Sequence, residues 1–151
     1  MSDSTQIMSH GPERAAVVAE AITWIGTPYH HHARLKGIGV DCAQILIAVY
    51  AGLGLAPEVA PGIYPPDWHL NHSSELYLHW LQQAGAQRVD SPLPGDVAVF
   101  KFGRTFSHGA ICVEDGSFIH SYLRLGVIRS RLTEAPLQGR EVQFWSVFKG
   151  S

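Results

Sequence analysis

The chain has 151 residues, enough for one domain with a substantial buried core. Hydrophobic residues make up 46% and charged residues 16%, which excludes a disordered chain, and a formal net charge of −2 argues against binding a nucleic acid backbone. No apolar run approaches the roughly 18 residues that span a bilayer, so no membrane insertion is expected.

The opening MSDSTQIMSHGPER is polar, with no basic stretch leading into an apolar one, so no secretory signal is read there. Residues 1–11 are expected to be a flexible N-terminal segment of a single domain over 1–151. The protein is then expected in the cytoplasm, or outside it by a route other than a signal peptide. Cys42 and Cys112 are the two cysteines and are expected as free thiols. From Pro12 to Ile25, Val18, Ala21, Ile22 and Ile25 follow the i, i+3, i+4, i+7 spacing of one helix face, with Gly26 and Pro28 as stop signals. The histidines are in excess at nine, and His30, His31 and His32 follow directly.

GVDCAQILIAVYAG predicts a second helix from Cys42 to Tyr50, with Asp41 as N-cap, Ile45 and Val49 on one face, and Gly52 as terminator. Ala56 to His72 reads as a long Pro- and Gly-rich loop. Trp68, His69 and His72 in it are candidates for a lid or an assembly surface, beside simple loop polarity. A third helix is predicted from Ser74 to Ala84, with Leu76, Trp80 and Leu81 inward. Strands are then predicted in DVAVFKF (96–102), HGAICVE (108–114), SFIHSYL (117–123), GVIRSRL (126–132) and EVQFWSVF (141–148). Helices followed by an antiparallel sheet or meander make an α+β architecture.

Cys42 alone has two readings. A cysteine beside an apolar run is commonly core. On the first turn of a helix it sits where the N-terminal field lowers a thiol pKa, and first-turn N–H groups can bind an oxyanion. The Asp41 charge opposes the thiolate unless capping occupies its carboxylate.

The strand histidines bear on the choice. A two-residue loop at Asp115-Gly116 throws His120 to the face opposite His108. A three-residue loop, Glu114-Asp115-Gly116, pairs residue 110 with 120 and sets both histidines on one face. Gly116 in the third loop position suits the left-handed residue of that longer turn. The pattern permits Cys42 as nucleophile, His108 as base and His120 as the residue orienting the base. Two ordinary half-buried strand histidines are the plain alternative.

Cys112 shares strand parity with His108 but has no base of its own, and reads as core. Asp96 reads as a strand-entry turn residue, and Trp145 and Phe148 as packing. The histidine run does not suit one metal ion, because consecutive residues point apart and no Cys-x-x-Cys or His-x-x-x-His spacing accompanies them. No metal and no cofactor are expected.

Four motifs in order resemble one family. GTPYHHHARLKGIGVDC resembles the G-x-P-Y, loop and D-C helix start of the NlpC-type (NlpC and P-sixty) papain-like cysteine peptidases. PLPGDVAVF resembles the family's L-x-P-G-D-L-V-F-F strand. HGAICVEDGSFIHS resembles its H-V-G-I-Y-x-G-D-G-x-x-I-H-A block, including the twelve-residue step between histidines. The resemblance covers residues 12–132. It implies a papain-like fold in which N-terminal helices carrying the cysteine pack on a C-terminal antiparallel sheet. It implies the same three roles for Cys42, His108 and His120, and Tyr29 as a wall of the site with its hydroxyl near the oxyanion. It also implies cleavage of amide bonds in peptidoglycan stem peptides through a Cys42 thioester.

Ala43 and Gln44 stand where the family has Ser and Gly, and His30 to His32 where it has glycines. Ala43, Gln44 and His31 are the expected substrate contacts beside Tyr29. HHHARLKGIGVDCAQ is most similar to small peptidases of phage tails and gene transfer particles. That similarity implies tail-tip or hub proteins as partners and delivery to the cell wall in a particle. An inactive tail-tip component and an acyltransferase on the same fold are the rival readings.

Overall fold

The computed structural model describes residues 10–59 and 75–148. Most of the expected 56–72 loop, with Trp68, His69, His72 and also Ser74, lies outside the described residues, as do residues 1–9 of the expected N-terminal segment.

Helix α1 is Gly11–Thr23, with Pro12 in its first turn, where a missing N–H breaks no helical bond. It begins inside the segment expected to be flexible, and it ends two residues earlier than predicted. Its inward face also differs. Arg14, Val17, Val18 and Ala21 are buried, whereas Ile22 and Ile25 are each 44% exposed. Two residues turn the helix this way. Arg14 donates to Asp96 Oδ1 at 3.0 Å and to Pro94 O at 3.1 Å, with its guanidinium 4.4 Å from the Phe148 ring. Trp24, just past the helix, is buried and donates its indole N–H to Glu20 at 3.1 Å. A paired cation and a tryptophan bury more surface together than two isoleucines would.

A short hairpin follows, β1 (Arg34–Leu35) and β2 (Gly39–Val40). Helix α2 is Gln44–Gly52. Its hydrogen bonding starts a turn earlier, with the Ile45 amide donating to Asp41 O at 3.1 Å. Asp41 therefore caps it as predicted, Cys42 lies on the first turn, and Ile45 and Val49 are fully buried. Helix α3 is Leu76–Gln83, burying Tyr77, Trp80 and Leu81. Leu76, expected inward, is only half-buried, because Tyr77 takes the inward place.

The main sheet has six antiparallel strands in the order β3-β8-β4-β5-β6-β7. They are β3 (Gln87–Val89), β4 (Val97–Phe102), β5 (Thr105–Cys112), β6 (Ser117–Tyr122), β7 (Gly126–Arg131) and β8 (Val142–Ser146). Strands β4 to β7 form the expected meander. The last strand departs from it by crossing back to lie between β4 and an unpredicted edge strand, β3. Side-chain alternation gives the sheet two apolar faces. Val97, Val99 and Ile111 join the helices in one core, while Ala98, Phe100 and Cys112 join Phe102, Phe118 and Leu137 in another. Cys112, Trp145 and Phe148 are core residues, as expected. Asp96 is the expected turn residue, its Oδ2 accepting the Leu93 amide at 2.9 Å.

Candidate active site

The turn between β5 and β6 is Glu114–Gly116, and the ladder pairs Ile111 with Ile119 and Cys112 with Phe118. That is the register of the three-residue loop. Asp115 and Gly116 both adopt left-handed backbone, at φ 67° and 75°. The two histidines consequently share a face.

Beyond Ile111 the two strands part, and the histidine side chains close the gap. His108 Nε2 lies 2.8 Å from His120 Nδ1, and His120 Nε2 lies 2.9 Å from Ser130 Oγ on β7. All three residues are buried. The rings of Phe102 and Tyr122 pack 5.1 and 5.5 Å from His108. A bulge precedes it. Phe100 pairs with His108 and Lys101 with Phe106, so Ser107 is the extra residue.

The cysteine segment enters where β5 and β6 part. On one side, Ser121 Oγ of β6 donates to Val40 O at 2.7 Å. On the other, the Cys42 thiol lies 3.9 Å from Ser107 O, and the Gly109 amide also faces it. Cys42 is thus set against the backbone on both sides of His108. The structure bonds His108 to His120 and places Cys42 beside the backbone that flanks His108.

Asp41, fully buried, divides its carboxylate among three amides. Oδ1 accepts from Ala43 at 3.0 Å and Gln44 at 2.8 Å, and Oδ2 accepts from His32 at 2.8 Å. His32 is left-handed at φ 65°, which turns its N–H toward Asp41. One side chain therefore fixes the helix start and the histidine loop. The same bonds correct two expectations. The amides of Ala43 and Gln44 are committed to Asp41 and do not face an oxyanion. The resting thiol is also not lowered: burial pushes Cys42 up, the Asp41 charge adds to it, and the amides of Gly109 and Cys42 oppose both without reversing them.

Tyr29 bridges to Val40 through the backbone, and its hydroxyl is buried with no hydrogen-bond partner among the described residues. Burial, followed by the proximity of Cys42 and Asp41, pushes that hydroxyl up, so it stays a donor. Gln44 and Ala43 are buried, Ala43 lining an apolar cavity with Leu46, Tyr77 and Trp80. His31 is half-buried, its ring edge-on to His32 at 4.3 Å. Burial holds His120 down at about 4, so it is neutral at neutral pH and carries one ring N–H.

Ser130, Ser121 and Tyr77 are absent from the sequence-based site. Ser130 had a signal, since it lies two residues from Ile128, the residue opposite His120. Tyr77 and Ser121 reach Cys42 and Val40 across 35 and 81 residues of chain, and nothing local marks them.

A cysteine on the first turn of a helix, set against an antiparallel strand that carries one of a bonded histidine pair, defines a papain-like α+β protein. The chain belongs to the NlpC/P60 family, whose model matches residues 26–146. Two similar proteins, from Mycobacterium tuberculosis and Mycobacterium bovis, carry the name "Probable endopeptidase". Each is 31% identical over 111 residues, which is 74% of this chain and 24% of the relative. The chain thus spans about a quarter of the length of these curated relatives. Among solved structures, the NlpC/p60 domain of the peptidoglycan hydrolase SagA matches with a TM-score of 0.58 at 21% identity, covering 88% of this chain and 97% of that one. The peptidoglycan hydrolase RipB from Mycobacterium tuberculosis matches at 0.62 and 16%, covering 93% and 68%. NlpC1 from Trichomonas vaginalis matches at 0.63 and 16%, covering 90% and 44%.

Proposed function

We propose that the protein is a thiol endopeptidase that hydrolyses amide bonds in peptidoglycan stem peptides through a Cys42 thioester. The observation that carries this is the seating of Cys42 against the backbone flanking His108, with His108 bonded to His120 at 2.8 Å. The peptidoglycan hydrolase and endopeptidase names among its relatives support the substrate class.

The buried thiol is protonated at rest, so the nucleophile arises by proton transfer to His108 during attack. A neutral His120 that donates Nε2–H to Ser130 presents a bare Nδ1 to His108. His108 then holds its proton on Nε2 and keeps Nδ1 as the acceptor for the thiol proton. Sγ adds to the amide carbonyl, and the oxyanion is met by the Cys42 amide and the Tyr29 hydroxyl. His108 returns the proton to the leaving amine, giving the thioester. A water that yields its proton to His108 attacks the thioester and releases the acid, and the proton goes back to Sγ.

Digestion of defined muropeptides followed by mass spectrometry tests the reading. Cys42→Ala is expected to abolish cleavage with an unchanged circular dichroism spectrum, and undiminished cleavage would end it. Inert wild-type protein points to a scaffold, and transfer of the acyl group to an added amine points to an acyltransferase. The proposed delivery in a phage-like tail tip rests on the resemblance of HHHARLKGIGVDCAQ alone. Its test is whether the chain sediments with tail particles when both are produced together.

A further inference from the structure

We propose that Tyr77 is a positioning residue that sets the distance between Cys42 and His108, working as a pair with Gly109. The proposal rests on the thiol-endopeptidase reading of the same site. Tyr77 projects inward from α3 and is 2% exposed. Its hydroxyl donates to Cys42 O at 2.9 Å, holding the residue that bears the thiol. The same hydroxyl and ring fill the space where a side chain at Gly109 would sit: a Cβ built there would overlap Tyr77 Oη and Cζ. Gly109 has no left-handed backbone to justify a glycine, so space is the reason for it. Its amide faces the Cys42 thiol, and its peptide bond joins it to His108. One phenol thus touches the nucleophile's carbonyl and the residue after the base.

In the motif block H-V-G-I-Y, Gly109 occupies the valine position, and no valine fits beneath the Tyr77 hydroxyl. The missing side chain at 109 and the phenol of Tyr77 fill one space between them. Without the phenol, α3 loses its hydrogen bond to Cys42 and its packing against Gly109 of β5.

The test uses Tyr77→Phe, Gly109→Val and the double variant Tyr77→Ala/Gly109→Val. Three readouts are needed: muropeptide hydrolysis, the rate of iodoacetamide alkylation of Cys42 against pH, read by mass spectrometry on its own peptide, and the melting temperature. Tyr77→Phe is expected to lower kcat about tenfold with KM within about twofold, and to move the alkylation profile. Gly109→Val is expected to lose more, and the double variant to recover part of that loss, a coupling that independent sites do not show. Wild-type kcat and alkylation in Tyr77→Phe, with or without a lower melting temperature, would overturn the proposal. So would a double variant no better than Gly109→Val. If the wild type cleaves no muropeptide, the endopeptidase reading fails, while the alkylation profiles still decide the role of Tyr77.

Discussion

With burial keeping His120 neutral, the proton pattern of the histidine pair depends on whether the Ser130 hydroxyl accepts or donates. The hydrolytic cycle needs it to accept. Ser130→Ala removes that acceptor and frees His120 to take the other tautomer, so kcat is expected to fall about tenfold while KM holds. Nitrogen-15 imidazole shifts in labelled protein should show the tautomer change directly. His108→Ala is expected to cost more activity than His120→Ala, since His108 accepts the proton and His120 orients it; equal or reversed losses would count against those roles. Burial of His120 also has a stability consequence. Its folded value of about 4 lies below the ordinary 6.5, so the contribution is complete above pH 6.5 and is lost as pH falls toward 4. The loss should be on the order of 3 kcal/mol. Urea midpoints measured between those pH values should fall more steeply in the wild type than in His120→Gln.

At the scale of elements, the apolar period placed α1 in the chain and put Val18 and Ala21 inward correctly, but it rotated the face toward Ile22 and Ile25, which are exposed. Its buried side includes Arg14, a residue that no hydrophobic pattern selects, because the partner that pays its desolvation lies 82 residues away. Arg14→Met leaves the Asp96 carboxylate buried beside apolar atoms, and urea denaturation should show a loss of about 3–5 kcal/mol. Adding Asp96→Asn should restore part of it. The α2 cap was legible, and the β5–β6 turn was narrowed to two loop lengths, because each is decided within a few residues. Asp41 reaches amides two and three positions ahead, and each of the two loop lengths the sequence allows fixes which strand residues face each other. The bulge at Ser107 was not legible, since a bulge depends on the partner strand as well as its own sequence.

For the molecule as a whole, the candidate site exists because two strands part and a distant segment fills the opening. Ser121 of β6 holds Val40 on one side, and the backbone around His108 receives Cys42 on the other. Ser121→Ala takes the shorter of two donors from the buried Val40 carbonyl, which keeps the His30 amide at 3.3 Å, at a cost of about 0.5–1.5 kcal/mol in urea denaturation. It should also lower muropeptide cleavage by folded protein, whereas Arg14→Met should destabilise the fold with little effect on cleavage by the folded fraction. Equal cleavage by the two variants would separate the Val40 tie from the geometry of the site.

Sequence alone determined the helix cap and the five strand runs, and it narrowed the hairpin to two registers, one of which lets His108 meet His120; the ladder in the folded sheet chose between them. The cap, the runs and the two registers each follow from periodicity or from contacts a few residues apart. Only the tertiary structure decided the insertion of β8, the inward face of α1, the roles of Ser121, Ser130 and Tyr77, and the raised thiol of Cys42. Those depend on residues brought together from distant parts of the chain, and on desolvation, which a side chain meets only when the whole core has closed around it.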